Sequence, residues 1–458
     1  MEILMIKSQI SNPELHKTMK NKLIASFLAF ENQVTTDVTS DFHQIRRKAF
    51  EKFENLGFPT KKDEDWKYTS LKRLLKNDYT LFPELPKHEL QISDVDSFFL
   101  KGIDTYKIVF IDGVFNPYLS ETTHEGMDIC LLSSAINKTK YRIVLQHYFN
   151  KISSKKENGI SCLNTAFSSE GAFIHIKKNT LVEKPVQIVY FTTKHDKNVL
   201  LQPRNLIIVD ENSQVKIIER HQSLSENNVL TNTVTELFAG KRAHIDYYKI
   251  QNDHSKASLI DHTIVEQKEQ SVVSVHTYSF GGDLTRNNLS FYQVGSGAQS
   301  YLNGISMLSR MQHVDNQTNV YHQVPHCESH ELYKGIYDDQ STGVFNGKVF
   351  VEPAAQKTDA FQQNDSILLT DNASINSKPQ LEIFADDVAC SHGCTIGQLD
   401  ENALFYLRQR GIPKKEAKAL LLYAFNNEVV DKIRIPVLKN RITKIISEKL
   451  GVELGLDL

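Results

Sequence analysis

Glu211-Asn212-Ser213, Lys241-Arg242-Ala243, Glu269-Gln270-Ser271 and Ser296-Gly297-Ala298 share one plan: a charged or polar pair, a small residue, then an alternating run. The small residues stand 30, 28 and 27 positions apart, and Asp371-Asn372-Ala373 repeats the plan later. A period of about 20 to 50 residues marks a stacked array whose units bury their inner faces on one another. The runs between the turns read as strands. Val186 to Tyr190, Asn205 to Val209, Val215 to Ile218 and His244 to Ile250 are rich in Val, Ile, Tyr and Thr, with no helical window among them. Strands alone at that period predict a mainly β chain folded as a β-helix. A sandwich or jelly roll also supplies many short strands but demands no steady period, so it ranks second.

The flanks read as helix. Apolar residues recur at three and four around Leu15 to Phe30 and Phe42 to Leu56, and Gly57-Phe58-Pro59-Thr60 stops the second run. Asp63 to Leu71 holds the single tryptophan, Trp66, and reads as a helix start packing its ring. Near the other end Asp400 is an N-cap candidate, with Glu401 favouring the first-turn dipole. That helix runs through Leu404, Tyr406 and Leu407 to a stop at Gly411. Pro413 fits the first turn of a second helix with the apolar face Ala417, Leu420, Leu421, Ala424 and Phe425. Pro436 breaks it, and Val437 to Leu450 forms a third. The layout expected is a helical and mixed region over 1–155, a β-helix core over 156–395 and a helical region over 396–458. The last region either shields the end of the array or docks a partner.

Lys and Arg number 53 against 55 Asp and Glu, so no basic field draws in nucleic acid. Five irregularly spaced cysteines make no disulfide framework and fit a reducing compartment. Met1 to Lys20 lacks the pattern of a signal peptide, and the apolar window Leu23 to Phe30 is too short to span a bilayer. The expectation is a soluble cytoplasmic protein without a membrane segment.

Cys390-Ser391-His392-Gly393-Cys394 carries the chemistry. In an extended backbone the side chains at i, i+2 and i+4 share a face, so a strand here aims two thiols and an imidazole the same way. These ligands suit iron–sulfur species, zinc or copper(I). Three fall short of the four that close a structural zinc site. The gap calls for water, substrate or a second chain, unless the thiols simply pack. His322, His326, Cys327 and His330 have a helix-like ligand spacing, but Pro325 and strand-like surroundings make them residues of a coil corner. No phosphate-binding Gly-x-x-x-x-Gly-Lys-Ser/Thr loop and no Gly-x-Ser-x-Gly elbow occurs. Asp386 and Asp387, as strand neighbours, would face opposite ways and do not make an acid–base pair.

Lys378-Pro379-Gln380-Leu381-Glu382-Ile383-Phe384-Ala385-Asp386-Asp387-Val388, the Cys-Ser-His-Gly-Cys segment, Thr395 to Asp400 and Leu404 to Pro413 together resemble the SufB/SufD family of iron–sulfur cluster assembly proteins. So do Leu332-Tyr333-Lys334-Gly335-Ile336, Val344-Phe345-Asn346-Gly347, Lys357-Thr358-Asp359-Ala360 and Asp65-Trp66-Lys67-Tyr68-Thr69. The likeness spans the chain and is strongest over 330–425. The SufB branch carries Cys-Asp where this chain reads Gln363-Asn364-Asp365-Ser366. It also carries a Glu/His segment where this chain has Cys-Ser-His-Gly. Both differences align the resemblance with the SufD branch.

That resemblance implies a right-handed parallel β-helix between helical N- and C-terminal regions. It implies a heterodimer with a SufB-like paralogue and two copies of a SufC-like ABC-type ATPase, one docked by each C-terminal helical region. A nascent iron–sulfur cluster would be shared across the SufB–SufD interface, with His392 as a ligand. Cys390 matches the motif's own cysteine and Cys394 stands where relatives often carry alanine; both rank below His392 for metal contact. In the docking region the resemblance points to Leu404, Tyr406, Leu407, Arg408 and Arg410 on the first helix, and to Leu420, Leu421 and Phe425 on the second. The chain would then be a non-catalytic scaffold in the SUF system, with ATP hydrolysis in the SufC-like partner. The cluster would be transient, no cofactor would be held tightly by the isolated chain, and a role for flavin stays open. An exposed sheet edge can also pair with a second copy when the partner is missing. Two alternatives remain: a β-helix carbohydrate-active enzyme recruiting Asp338-Asp339 or Asp386-Asp387, and a self-contained zinc protein.

Overall fold

The computed structural model describes residues 19–34, 41–81, 92–168 and 170–452. From Ala172 the chain alternates between two sheets. One holds Arg204–Val209, Val229–Ala239, Ala257–Gln267, Leu284–Gln293, His313–His322, Thr342–Val351 and Ser374–Ile383 in that spatial order. The other holds Val186–Thr192, Gln214–Ser223, His244–Gln251, Val272–Ser279, Gln299–Leu308, Glu328–Tyr337, Asp359–Leu368 and Ala389–Gly397. Every neighbouring pair in these runs is parallel, as in Tyr247 beside Val275 and Leu302 beside Glu331. The result is a parallel β-solenoid of about eight turns. The β-helix expectation holds and the sandwich falls, because sandwiches pair antiparallel neighbours.

The corners explain the period. Asn212, Arg242, Gln270 and Gly297 have φ of 57°, 54°, 55° and 72°, so each turns the chain through the left-handed region. The next residue, Ser213, Ala243, Ser271 or Ala298, points inward and is buried, where a long side chain has no room. His326-Cys327 and Lys357-Thr358 continue the series, with φ of 61° at both His326 and Lys357 and buried Cys327 and Thr358 behind them. Asp371-Asn372-Ala373 is a different corner. It leads into the other sheet, Asn372 is not left-handed, and Ala373 packs with Leu308, Val314 and Tyr337.

Alternation places one residue in two inside the coil. Val186, Ile217, Tyr247, Val275 and Leu302 form one inner column of the second sheet. They meet Ile207, Leu237, Val265, Phe291 and Val320 from the first sheet in a single apolar cluster. A polar seam runs beside it. Lys249 sits buried between Glu219 and Asp261, 2.7 Å from Asp261 Oδ1, and this pairing offsets much of the cost of taking the charges out of water.

The two ends of the solenoid differ. At the N-terminal end Tyr106–Ile111 continues the second sheet and is bordered by Val114–Phe115, while Met127–Leu131 pairs antiparallel with Ala172–Ile176 and is bordered by Thr123–His124, so each sheet ends there on a strand of two residues. Helices Met19–Val34 and Asp41–Leu56 lie where the sequence places them, with residues 15–18 of the first expectation outside the described residues. Leu23, Phe27, Phe53 and Trp66 cluster with Leu200, Leu230 and Leu284. Trp66 ends a 3-10 turn, Glu64–Trp66, and its ring lies 3.8 Å beneath the Arg286 guanidinium, whose other partners are the Asp65 carbonyl, Asn288 Oδ1 and Asp315. At the C-terminal end Ser374–Ile383 and Ala389–Gly397 each have a neighbour on one side only.

Helices Glu401–Gln409, Lys414–Val430 and Pro436–Leu450 follow. Asp400 caps the first, accepting from the Asn402 and Ala403 amides. Pro413 precedes the second helix by one residue, and the face buried there differs from the expected one. Ala417, Ala419, Leu422, Val429 and Val430 are buried, Leu420, Leu421 and Phe425 are half-buried, and Ala424 is exposed. The reason is what the helix meets: with the third helix it covers Tyr248, Tyr278, Ile305 and Ile336 on the outer face of the second sheet. Among the described residues no helix is long and apolar enough to cross a membrane.

Candidate functional site at the open end of the solenoid

The Cys390 to Cys394 stretch lies within the last strand, Ala389–Gly397. In-register pairing sets Cys390, His392 and Cys394 beside Ala360, Gln362 and Asn364. Those three neighbours are buried while Phe361, between two of them, is 40% exposed. The two thiols and the imidazole therefore share the inward face, as an extended backbone requires. No turn follows, so that face opens to solvent: His392 and Cys394 are exposed and Cys390 is half-buried.

Each side chain has a different setting. Cys390 packs against the cluster of Val349, Val351, Ala355 and Ala360, and burial raises its thiol above the usual range, with Asp359 adding to the effect. That is the packing alternative for this thiol. Cys394 Sγ lies 3.1 Å from Ser377 Oγ on the opposite sheet, and Ser377 in turn donates to Asn364 Oδ1 at 3.0 Å. Gly393 faces outward, and the Gln363 side chain occupies the space its Cβ would take. Among the described residues no three His, Cys, Asp or Glu side chains converge as a metal site. The three side chains stand on one wall, and on the facing sheet Cys394 meets Ser377.

The second cluster does not assemble. His322 is fully buried with Nε2 2.9 Å from Ser329 Oγ, and burial lowers its pKa to about 3. His326 is the corner residue, Cys327 is buried behind it, and His330 stacks on Tyr301 at 5.6 Å. Asp386 and Asp387 lie in the bend before the last strand rather than within it, and Asp387 is paired with Lys357.

Two apolar surfaces stand out. Phe361, Ile383, Phe384 and Ile396, all in the last two turns, are 40%, 39%, 57% and 47% exposed. On the first C-terminal helix Phe405 and Tyr406 are 61% and 56% exposed, with Arg410 4.8 Å from the Tyr406 ring. Leu404 is buried, Leu407 half-buried and Arg408 exposed. Phe425 is engaged within the chain, 4.7 Å from the Lys334 ammonium.

Sequence reasoning missed the residues behind the site. Glu331 and Gln362 precede His392 in the inner column that runs through Val186, Ile217, Tyr247, Val275 and Leu302. Strand alternation marks which face they occupy, but a polar residue in an alternating run reads as outward.

The family model for the SufBD core domain of SUF system FeS cluster assembly matches residues 191–425, and that for the SufBD protein N-terminal region matches 17–188. An iron–sulfur cluster assembly SufBD family protein of Synechocystis is 31% identical over 95% of this chain and 96% of its own length. Iron–sulfur cluster assembly protein SufD of Escherichia coli is 28% identical over 86% of this chain and 90% of its own length. SufD of Bacillus subtilis is 28% identical over 67% and 70%.

Proposed function

The chain belongs to the SufBD family of iron–sulfur cluster assembly proteins, and on that premise we propose that it is the SufD-type scaffold subunit, completing a cluster site only when a SufB-type chain closes its open end. The observation that carries this reading is the last turn itself. Two sheet edges end unpaired, exposed apolar side chains surround them, and His392 and Cys394 stand on the inward wall where, among the described residues, no three His, Cys, Asp or Glu side chains converge. Unpaired edges recruit strands, and exposed apolar patches mark partner surfaces. A second solenoid laid end to end would satisfy both and supply the missing ligands.

The nascent cluster is cargo here. A neutral imidazole can take a position usually held by a thiolate. His392 is the ligand of choice, exposed and on the inner column. Cys394 is second, and Cys390 is reserved for packing. The scaffold is non-catalytic and cytoplasmic. Residues 396–458 dock a SufC-type ATPase, one copy here and one on the SufB-type chain. Because the second and third helices are built into the solenoid, the docking surface narrows to the first helix, around Phe405, Tyr406, Arg408 and Arg410. Movement of the ATPases would bring the two solenoid ends together or apart, making the interface the two-state element. Family membership displaces the carbohydrate-active reading.

His392→Ala tests this directly. The variant should fold and bind both partners as before, while iron and sulfide loading of the reconstituted complex falls at least tenfold. Full loading in that variant would remove His392 from the site.

A further inference from the structure

Glu331 and Gln362 are fully buried, and neither is satisfied. Glu331 Oε2 accepts from Thr318 Oγ1 at 2.6 Å, while Oε1 has no partner. Gln362 makes no hydrogen bond of ordinary geometry at Nε2 or at Oε1, although its amide stands close enough to ease the charge of the Glu331 carboxyl. Its amide reaches across the coil into the space that a Cβ on Gly347 would fill. Gly347 belongs to the Val344-Phe345-Asn346-Gly347 motif, so its missing side chain makes room for this amide. Buried polar atoms are almost always paired, and three orphans in adjacent side chains lower stability unless they have another use. The direction of the column supplies one: Glu331, Gln362 and His392 occupy successive strands in register.

We propose that Gln362 and Glu331 are positioning residues that orient His392 when the cluster is laid in. In the loaded state Gln362 Oε1 accepts from one ring N–H of His392 and Gln362 Nε2 donates to Glu331 Oε1. The other ring nitrogen is left free for iron. A ligating histidine ordinarily donates its second N–H to a carboxylate or carbonyl, which fixes the tautomer and raises basicity. Here a buried carboxylate does so through an intervening amide. Besides Gln362, the residues set beside Glu331 on its inner face are Leu302, Thr318, Ser329 and Tyr333, none charged, so the relay competes with no ion pair. Burial pushes the Glu331 carboxyl up to about 7, opposed by Thr318 and Gln362. This inference rests on the reading of His392 as a ligand.

The test uses the complex with SufB-type and SufC-type partners, reconstituted with ferrous iron and sulfide, and compares Gln362→Leu, Glu331→Gln and His392→Ala. Gln362→Leu should leave the melting temperature of the chain unchanged or raised, because it removes two unpaired buried atoms. Cluster loading should nevertheless fall about tenfold or more. Glu331→Gln, close in shape, should lower loading in the same direction by less. In pulsed EPR of the reduced cluster, the coupling from the remote ring nitrogen should shift in Gln362→Leu and vanish in His392→Ala. Wild-type loading and coupling in Gln362→Leu, with His392→Ala empty, overturns the relay alone. Full loading in His392→Ala overturns the ligand reading and the relay with it. Destabilisation of both inner-column variants, in step with their lost loading, makes the residues structural and equally overturns the proposal.

Discussion

Val275 and Leu302 occupy the same inner column as Glu331 and Gln362, one to three turns earlier, yet the two halves do opposite things. The earlier half is apolar, fully enclosed and joined to the opposite sheet in one cluster. The later half is polar, carries buried atoms without partners and ends at an exposed imidazole. Identical backbone geometry thus supports two kinds of interior. Burying a large apolar side chain contributes about 1.5–3 kcal/mol, so the early turns stabilise the coil. Each orphaned polar group in the late turns costs about 1–3 kcal/mol, a cost that makes sense where function needs it.

The sharpest way to break this comparison is to move the boundary by one turn. Leu302→Glu places an unpaired carboxylate in the apolar half, directly behind Glu331. Urea unfolding should show a loss of about 3 kcal/mol or more. A variant as stable as wild type would mean that the polar interior extends further than the structure shows.

A smaller effect sharpens the late half through pH. The Glu331 carboxyl is raised from 4.5 to about 7, chiefly by burial. Its stabilising protonated form is fully present below about pH 4.5 and is lost as pH rises through 7, so this group makes the wild type less stable at pH 8 than at pH 5. Glu331→Gln removes that slope. The variant should gain on the wild type by up to about 3 kcal/mol between pH 5 and pH 8. A difference between the two proteins that does not change with pH would place Glu331 in a wetter setting.

Much of the fold was legible because the corners impose a rule that sequence can show. A left-handed residue followed by a small buried one recurs at Asn212-Ser213, Arg242-Ala243, Gln270-Ser271 and Gly297-Ala298. At His326-Cys327 a histidine takes the left-handed position and a cysteine the small one; Pro325 and the strand-like surroundings already marked these residues as a coil corner, and a corner forms there. Asp371-Asn372-Ala373 fitted the letters without the geometry. The site was half legible. Residue spacing placed Cys390, His392 and Cys394 on one face, but not which thiol packs, since that depends on Val349, Val351 and Ala355 from other turns. Glu331 and Gln362 were hidden because facing inward is a property of the closed coil. Trp66 was read as a packed ring, but its partner Arg286 lies 220 positions away and leaves no local trace.

The central claim is that this chain holds only one wall of a metal site. Iron bound per chain, measured after anaerobic reconstitution with ferrous iron and sulfide, tests it most directly when the isolated chain is compared with the chain mixed with a SufB-type chain. The account predicts substoichiometric, easily chelated iron on the isolated chain and a stable cluster only in the pair. A stoichiometric, chelator-resistant cluster on the isolated chain would contradict it.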